Sequence, residues 1–305
     1  MGHDKDLSGI EHAGRLSASY RIADGSNFRL ADHATDDTGD FDPDDRDDAR
    51  KLLKSSVDWL AEEQEKLHAQ DRWAVLLVFQ AMDAAGKDST IKHVLSGVNP
   101  QGCRVVSFKK PSATELDHDY LWRCHNVAPR RGQIGIFNRS YYEEVLVVRV
   151  HQALLEYQRL PKTRLDGDIW TQRLEDIAGF ERYLARNGFL ILKVFLNVSP
   201  EEQRRRFLRR LNRPDKHWKF SAGDVRERGY WDDYMHAYQE AIRHTATEHA
   251  PWFVVPADNK WYMRLVVASA VVDAIDGLGL HYPLVTDEDR EEIQKARAAL
   301  ADDPA

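Results

Sequence analysis

Cysteine is scarce: Cys103 and Cys124 are the two thiols in 305 residues. That count excludes a disulfide framework and fits a reducing compartment. No apolar run approaches the roughly 18–20 residues that span a bilayer. The first ten residues, MGHDKDLSGI, lack the apolar stretch of a signal peptide. Asp6 stands where N-myristoylation needs Ser or Thr. Internal repeats are absent, and none of the thirteen histidines falls into a metal-ligand motif. Positive charge is in deficit, with a formal net charge of −7, which argues against nonspecific binding of nucleic acid because polyanions repel. What is present is an ordinary globular mixture, 42% hydrophobic and 30% charged, which excludes a disordered or collagen-like chain. The expectation is a soluble cytoplasmic protein with no membrane and no nucleic-acid partner.

The charge is unevenly placed. Residues 36–48 (DDTGDFDPDDRDD) carry a local sum of −7, so the rest of the chain is neutral overall. Residues 204–219 (RRRFLRRLNRPDKHWK) carry +7. A basic stretch on a neutral body leaves room for a polyanion in one confined place.

Residues 1–45 are polar and acidic and read as a poorly ordered arm, in part draped over the body. Helical periodicity begins near Asp47 and continues through Leu52, Leu53, Val57, Leu60 and Leu67. Apolar strand-like runs follow at 74–79, 104–108, 133–137, 189–196 and 252–255, with helical patterns at 139–155, 167–187, 199–211, 223–248 and 259–279. Strands alternating with helices predict an α/β fold, a parallel sheet flanked by helices. Residues 286–305 read as an exposed final helix and tail.

The first strand runs into Gln80-Ala81-Met82-Asp83-Ala84-Ala85-Gly86-Lys87-Asp88-Ser89-Thr90 and then a helix. A strand, a loop of small residues, Gly-Lys and a helix form the setting a phosphate-binding loop requires. Ala84, Ala85 and Gly86 let backbone N–H groups turn toward an anion. The helix start at Asp88, Ser89 and Thr90 adds unpaired N–H groups, and Lys87 adds a mobile positive charge. Relative to G-x-x-x-x-G-K-[ST], Ala81 replaces the first glycine and Asp88 the Mg²⁺-binding hydroxyl. The bland alternative is a strand–helix turn with a solvated lysine. Asp83, a carboxylate inside a phosphate cradle, reads either as a metal ligand or as an Asx-turn former.

The strand at 133–137 leads into Asn138-Arg139-Ser140-Tyr141-Tyr142-Glu143-Glu144. Phosphate-loop enzymes carry a metal-linked aspartate at such a strand end; here it is Asn138. Glu143 or Glu144 would restore a carboxylate, unless they only complement the helix dipole. Arg139 suits bidentate phosphate contact. In the basic stretch, Arg206 and Arg210 share one helix face, and Lys216 and Lys219 continue into a loop. The run contains almost no acid of its own. It reads as a solvated face or as a mobile lid closing over phosphates.

Four segments together, FQAMDAAGKDSTIKHVLSGVNPQG, PRRGQIGIFNRSYYEEVLVVRVH, RRFLRRLNRPDKHWKFSAGD and APWFVVPADNKWYMRL, make the chain from Gln64 to Asp276 resemble the polyphosphate kinase 2 family. The resemblance implies a P-loop kinase fold like that of thymidylate kinases, residues 46–285, with a helical lid at about 204–228. It implies phosphoryl transfer between inorganic polyphosphate and adenine or guanine nucleotides, Mg²⁺ or Mn²⁺ as cofactor, and a homo-oligomer, dimer or tetramer. It carries over Asp83, Lys87 and Arg139 as catalytic positions and Arg206, Arg210, Lys216 and Lys219 as polyphosphate-binding ones. Asn138 and Glu143 become nucleotide-side positions. Asn138 followed by two acids resembles the branch that accepts both AMP and ADP, in which Glu144 joins Asp83 at the metal. The alternatives are an ATP-dependent kinase of nucleotides or small metabolites, and a non-catalytic polyphosphate-binding protein.

Overall fold

A computed structural model of the chain describes residues 13–165, 168–219 and 221–301, without the side chains of Pro43, Lys216 and Lys219. The eight residues Ala74–Ala81 (β2), all buried, form the centre of the sheet. β4 (Ile134–Asn138) and β5 (Phe189–Asn197) flank it, both parallel to it. β3 (Cys103–Ser107) lies outside β4, and β6 (Trp252–Pro256) outside β5, again parallel. The two-residue strand β1 (Arg21–Ile22) closes the other edge, antiparallel to β6, so the order is β1-β6-β5-β2-β4-β3.

Eight helices are labelled here in chain order. They are α1 (Arg46–Gln70), α2 (Lys87–Val94), α3 (Ile169–Arg186), α4 (Pro200–Leu211), α5 (Ala222–Glu227), α6 (Trp231–Thr245), α7 (Lys260–Asp276) and α8 (Asp287–Ala301). Their starts follow the sequence. Ser199 accepts the Glu202 N–H at 3.1 Å, and Pro200 occupies the first turn of α4. α7 is apolar on nearly every side because it lies packed against α1, β5 and β6. Among the described residues no helix is long and apolar enough to cross a membrane.

Three expectations change. The helical pattern at 139–155 is broken into a 3₁₀ turn (Tyr141–Glu144), a short helix (Val147–Val150) and a second 3₁₀ stretch (Gln152–Gln158). The pattern at 223–248 is split at Arg228–Tyr230. The acidic arm is docked from Ala13 onward: Tyr20, Phe28 and Leu30 are buried in the core, and the Tyr20 hydroxyl meets that of Tyr262 at 2.8 Å. Composition hid this because three apolar anchors scattered among acidic residues leave the average polar. Residues 1–12 and 302–305, the ends of the arm and the tail, lie outside the description.

β5 holds a feature its apolar run concealed. Lys193 is fully buried, and its ammonium donates to Glu181 at 2.6 Å and to the Thr245 carbonyl at 2.7 Å. Tyr141 and Tyr142 donate to the same glutamate at 2.9 Å each. Each buried polar atom of this knot is therefore tied to another, linking β5, α3, α6 and the turn after β4.

Candidate active site

The register of the sheet places the site. Phe79 of β2 pairs with Asn138 of β4, and Ala81 with Leu196 of β5, so three parallel strands end side by side. In a parallel sheet the crevice beyond the carboxyl ends is where ligands bind. The loop after β2 turns back through Ala84, at φ +61°, and Gly86, at φ +115°. The second value requires glycine, and a Cβ there would lie 3.3 Å from Met263 of α7. Lys87 opens α2 and is buried, its ammonium donating to the Ala81 carbonyl at 2.8 Å. Burial, and then the adjacent Arg139, push its pKa down.

Arg139 follows β4 in a left-handed conformation, φ +64°, while its N–H donates to the Phe79 carbonyl at 3.0 Å. That strained backbone turns its guanidinium across the strand ends. There it donates to Asp83 at 2.9 Å and to Glu143 at 3.1 Å, and the Glu143 charge raises its pKa. Asn138 donates to Asp88 at 2.9 Å. The structure thus gathers Asp83, Lys87, Asp88, Asn138, Arg139 and Glu143, drawn from two separate segments.

Other expected residues take different places. Glu144 turns away into a buried cluster, accepting from Gln158 at 2.6 Å and Arg173 at 3.2 Å. Burial raises its pKa despite that arginine. The carboxylate joined to Asp83 through Arg139 is Glu143, while Glu144 lines the cavity beside Arg139 and is held by Arg173 and Gln158. The 3₁₀ turn, rather than the helix expected there, sends these neighbouring side chains apart. Ser89 and Thr90 donate their hydroxyls to the Gly86 carbonyl, at 2.9 and 3.1 Å, and Thr90 is fully buried. They stabilise the loop's exit into the helix.

Arg206 takes a different place too. It is buried, and its guanidinium donates to the carbonyls of Ala84 (3.3 Å) and Ala85 on the loop, and of Ala257 (2.5 Å) and Asp258 (3.2 Å) after β6. It clamps the phosphate loop rather than lying in a lid. Gln203, one turn earlier, does the same through the Asp83 carbonyl at 2.9 Å, and nothing in its sequence setting marked it. The expected dearth of acids holds within 204–219 but not around it. Glu202, spaced three, four and seven residues ahead, takes up Arg205, Arg206 and Arg209 at 2.7–3.0 Å. Arg210 lies 3.6 Å from Asp224. The side chains of Lys216 and Lys219 lie outside the described residues.

A cavity of about 450 Å³ is lined by Arg139 but by none of the phosphate-loop residues. Phe108, Tyr120, Val147 and Tyr157 form its apolar wall, and Lys109 and Lys110 lie at its lining beside Glu143 and Arg139. These residues come from four segments with no shared motif. The Lys109-Lys110 pair following β3 was the one available signal.

A phosphate loop at the end of a central parallel strand, a buried lysine at its helix start and an arginine crossing from the neighbouring strand define a P-loop phosphotransferase. The family model for polyphosphate kinase 2 matches residues 43–280, and the chain belongs to that family. It is 47% identical over 284 residues to the ADP-polyphosphate phosphotransferase of Rhodopseudomonas palustris, covering 92% of this chain and 97% of that one. It is 45% identical over 264 residues to the AMP/ADP-polyphosphate phosphotransferase of Meiothermus ruber, covering 87% and 94%. The crystal structure of polyphosphate kinase 2 from Arthrobacter aurescens TC1 superimposes with a TM-score of 0.82 at 39% identity, covering 94% of this chain and 97% of that one. The protein is therefore an enzyme that transfers phosphate between polyphosphate and nucleotides.

Proposed function

We propose that the enzyme moves the terminal phosphate of inorganic polyphosphate onto both AMP and ADP, with guanine nucleotides as further acceptors. The observation that carries this reading is that Arg139 reaches Asp83 of the phosphate loop and also lines a separate, mostly apolar cavity that no loop residue lines. The chain end lies along the loop's N–H groups and Lys87. The nucleoside occupies the cavity, its base against the aromatic wall. Arg139 bridges the two phosphate groups. An oxygen of the nucleotide's terminal phosphate then attacks the end phosphorus in line. A new P–O bond forms, the bond to the rest of the chain breaks, and the shortened polyphosphate leaves as an anion. Positioning and charge stabilisation supply the rate, with no protein nucleophile.

Mg²⁺ takes one or two carboxylates and completes its shell with phosphate oxygens and water. Asp83, partly exposed on the loop with Glu143 across Arg139, fits that need. Among the described residues no three of His, Cys, Asp and Glu converge into an all-protein metal cage. Bound there, Mg²⁺ or Mn²⁺ would neutralise the repulsion between the two anions. Asp83→Asn is expected to raise the Mg²⁺ concentration for half-maximal activity by roughly 10–100-fold, the range seen even when groups behind a metal ligand are disturbed. Glu144→Gln should leave that concentration unchanged; a rise equal to that of Asp83→Asn would return Glu144 to the metal.

The deciding assay is purified protein with polyphosphate, Mg²⁺ and AMP or ADP, with products separated by chromatography. ADP and ATP are expected. Phosphorylation from Mg-ATP with none from polyphosphate of any length would make it an ATP-dependent kinase. Polyphosphate binding without any transfer would make it a binding protein. The same reading places the reaction in the cytoplasm and the enzyme in a homodimer or tetramer; a monomeric mass by light scattering would remove the latter.

A further inference from the structure

Arg206 ties the phosphate loop to Ala257 and Asp258, and Asp258 lines a second cavity, of about 320 Å³. Five cations from three separate helices line it: Arg46 and Arg50 at the start of α1, Arg209 in α4, and Lys260 and Arg264 in the first turns of α7. Its two carboxylates are already engaged. Glu202 is shared among Arg205, Arg206 and Arg209. Asp258 accepts the Ser199 N–H at 2.8 Å and the Thr35 hydroxyl at 3.0 Å. Two lining side chains, Trp261 and Arg264, each bury a nitrogen donor, Nε1 and Nε, that finds no partner. Burial and the neighbouring Arg206, Arg209 and Arg264 push the Lys260 pKa down. α7 also begins here without a side-chain cap, because Asn259 donates its amide to the Asp36 carbonyl at 3.1 Å.

Like charges brought together beside orphaned donors are unfavourable in the free protein and are offset when an anion arrives. A single small anion would not span cations on three helices, whereas an extended one would. We propose that this cavity is a second phosphate-chain site. It holds a stretch of polyphosphate several phosphates away from the reacting end, and so selects long chains over short ones. The inference rests on the polyphosphate reading above. The acidic segment 36–48 borders the cavity, with Phe41 against Trp261 at 6.3 Å between ring centres and Asp47 paired with Arg50 at 2.8 Å. A chain binding there competes with those carboxylates, so its affinity falls steeply with added salt.

The test compares wild type with Arg46→Gln/Arg50→Gln on one wall and Lys260→Gln on the other, using tripolyphosphate and long-chain polyphosphate with the same nucleotide. For the long chain each variant is expected to raise KM by about tenfold or more with kcat retained, since each removes charge-assisted contacts. Tripolyphosphate kinetics should stay within about twofold, because a three-phosphate chain at the loop does not reach the cavity. Equal losses on both substrates, or none on either, overturn the proposal. Calorimetric binding of long-chain polyphosphate to Lys87→Ala protein, with and without Arg46→Gln/Arg50→Gln, reads the site without turnover. Weaker binding in the combined variant supports the site even if the transfer reading fails, and equal binding overturns it.

Discussion

Lys87→Ala is expected to lower turnover by about 10²–10³-fold, by analogy with removal of one preorganised oxyanion donor, while the protein stays folded. Its ammonium is buried beside Arg139, and the Ala81 carbonyl is the acceptor it meets at 2.8 Å. Burial and the like charge both disfavour the charged form. The group's pKa in the fold is lowered, so it detracts from stability at every pH below the ordinary lysine value. That cost vanishes only above that value. Removing the side chain removes the cost, and Tm should hold or rise. A phosphate beside the ammonium reverses the balance and draws its pKa back up. Polyphosphate binding to wild type should therefore take up protons and weaken as pH rises through the lowered pKa. Lys87→Ala should lose that pH dependence. Calorimetry in buffers of different ionisation enthalpy measures the uptake, and identical uptake in both proteins would refute Lys87 as its source.

Arg206→Ala is expected to destabilise the protein by about 3–5 kcal/mol, the range for breaking a buried charge pair. That corresponds to a fall in Tm of roughly 10 °C. The residue is nearly inaccessible and satisfies carbonyls on two loops as well as Glu202. Truncation would leave those carbonyls without donors and loosen the loop at Ala84 and Ala85. A structural role alone does not predict the second half of the test. Arg206→Lys keeps the charge but lacks the fork needed to reach both loops, so kcat should fall while KM for polyphosphate changes little. If Arg206 contacted polyphosphate directly, as a lid residue would, KM would rise while Tm stayed near that of wild type.

These two residues show what could be read from the chain. Lys87 was legible because its signal is local: a strand, small residues, Gly-Lys and a helix within a dozen positions. The same holds for the parallel sheet, whose apolar runs lie within a residue or two of the observed strands, and for Arg139 at a strand end. Arg206 was expected in a lid, whereas the structure buries it between the phosphate loop and the segment after β6. Helical spacing set its row on α4, but which row turns inward depends on where α4 docks against the loop and β6. The acidic arm was expected to drape over the body only in part; how firmly it docks was hidden because three buried anchors, Tyr20, Phe28 and Leu30, are too few to shift its composition.

Glu143 and Glu144 mark the boundary most closely. Their identity places two carboxylates after Arg139, and local charge chemistry makes either able to face a metal. In the structure Glu143 meets Arg139 beside Asp83, while Arg173 and Gln158 reach from other segments to hold Glu144, a division set by a 3₁₀ turn in place of an α-helical one. The basic cavity is decided in the same way. Arg46, Arg50, Arg209, Lys260 and Arg264 are unremarkable in sequence, more than 200 positions separating the first from the last. Folding brings them to one place because α1 and α7 pack together and Arg206 fixes α4 to the start of α7. Short-range patterns carry propensity and motif. Electrostatic convergence is long-range, so it exists once the helices are docked and not before.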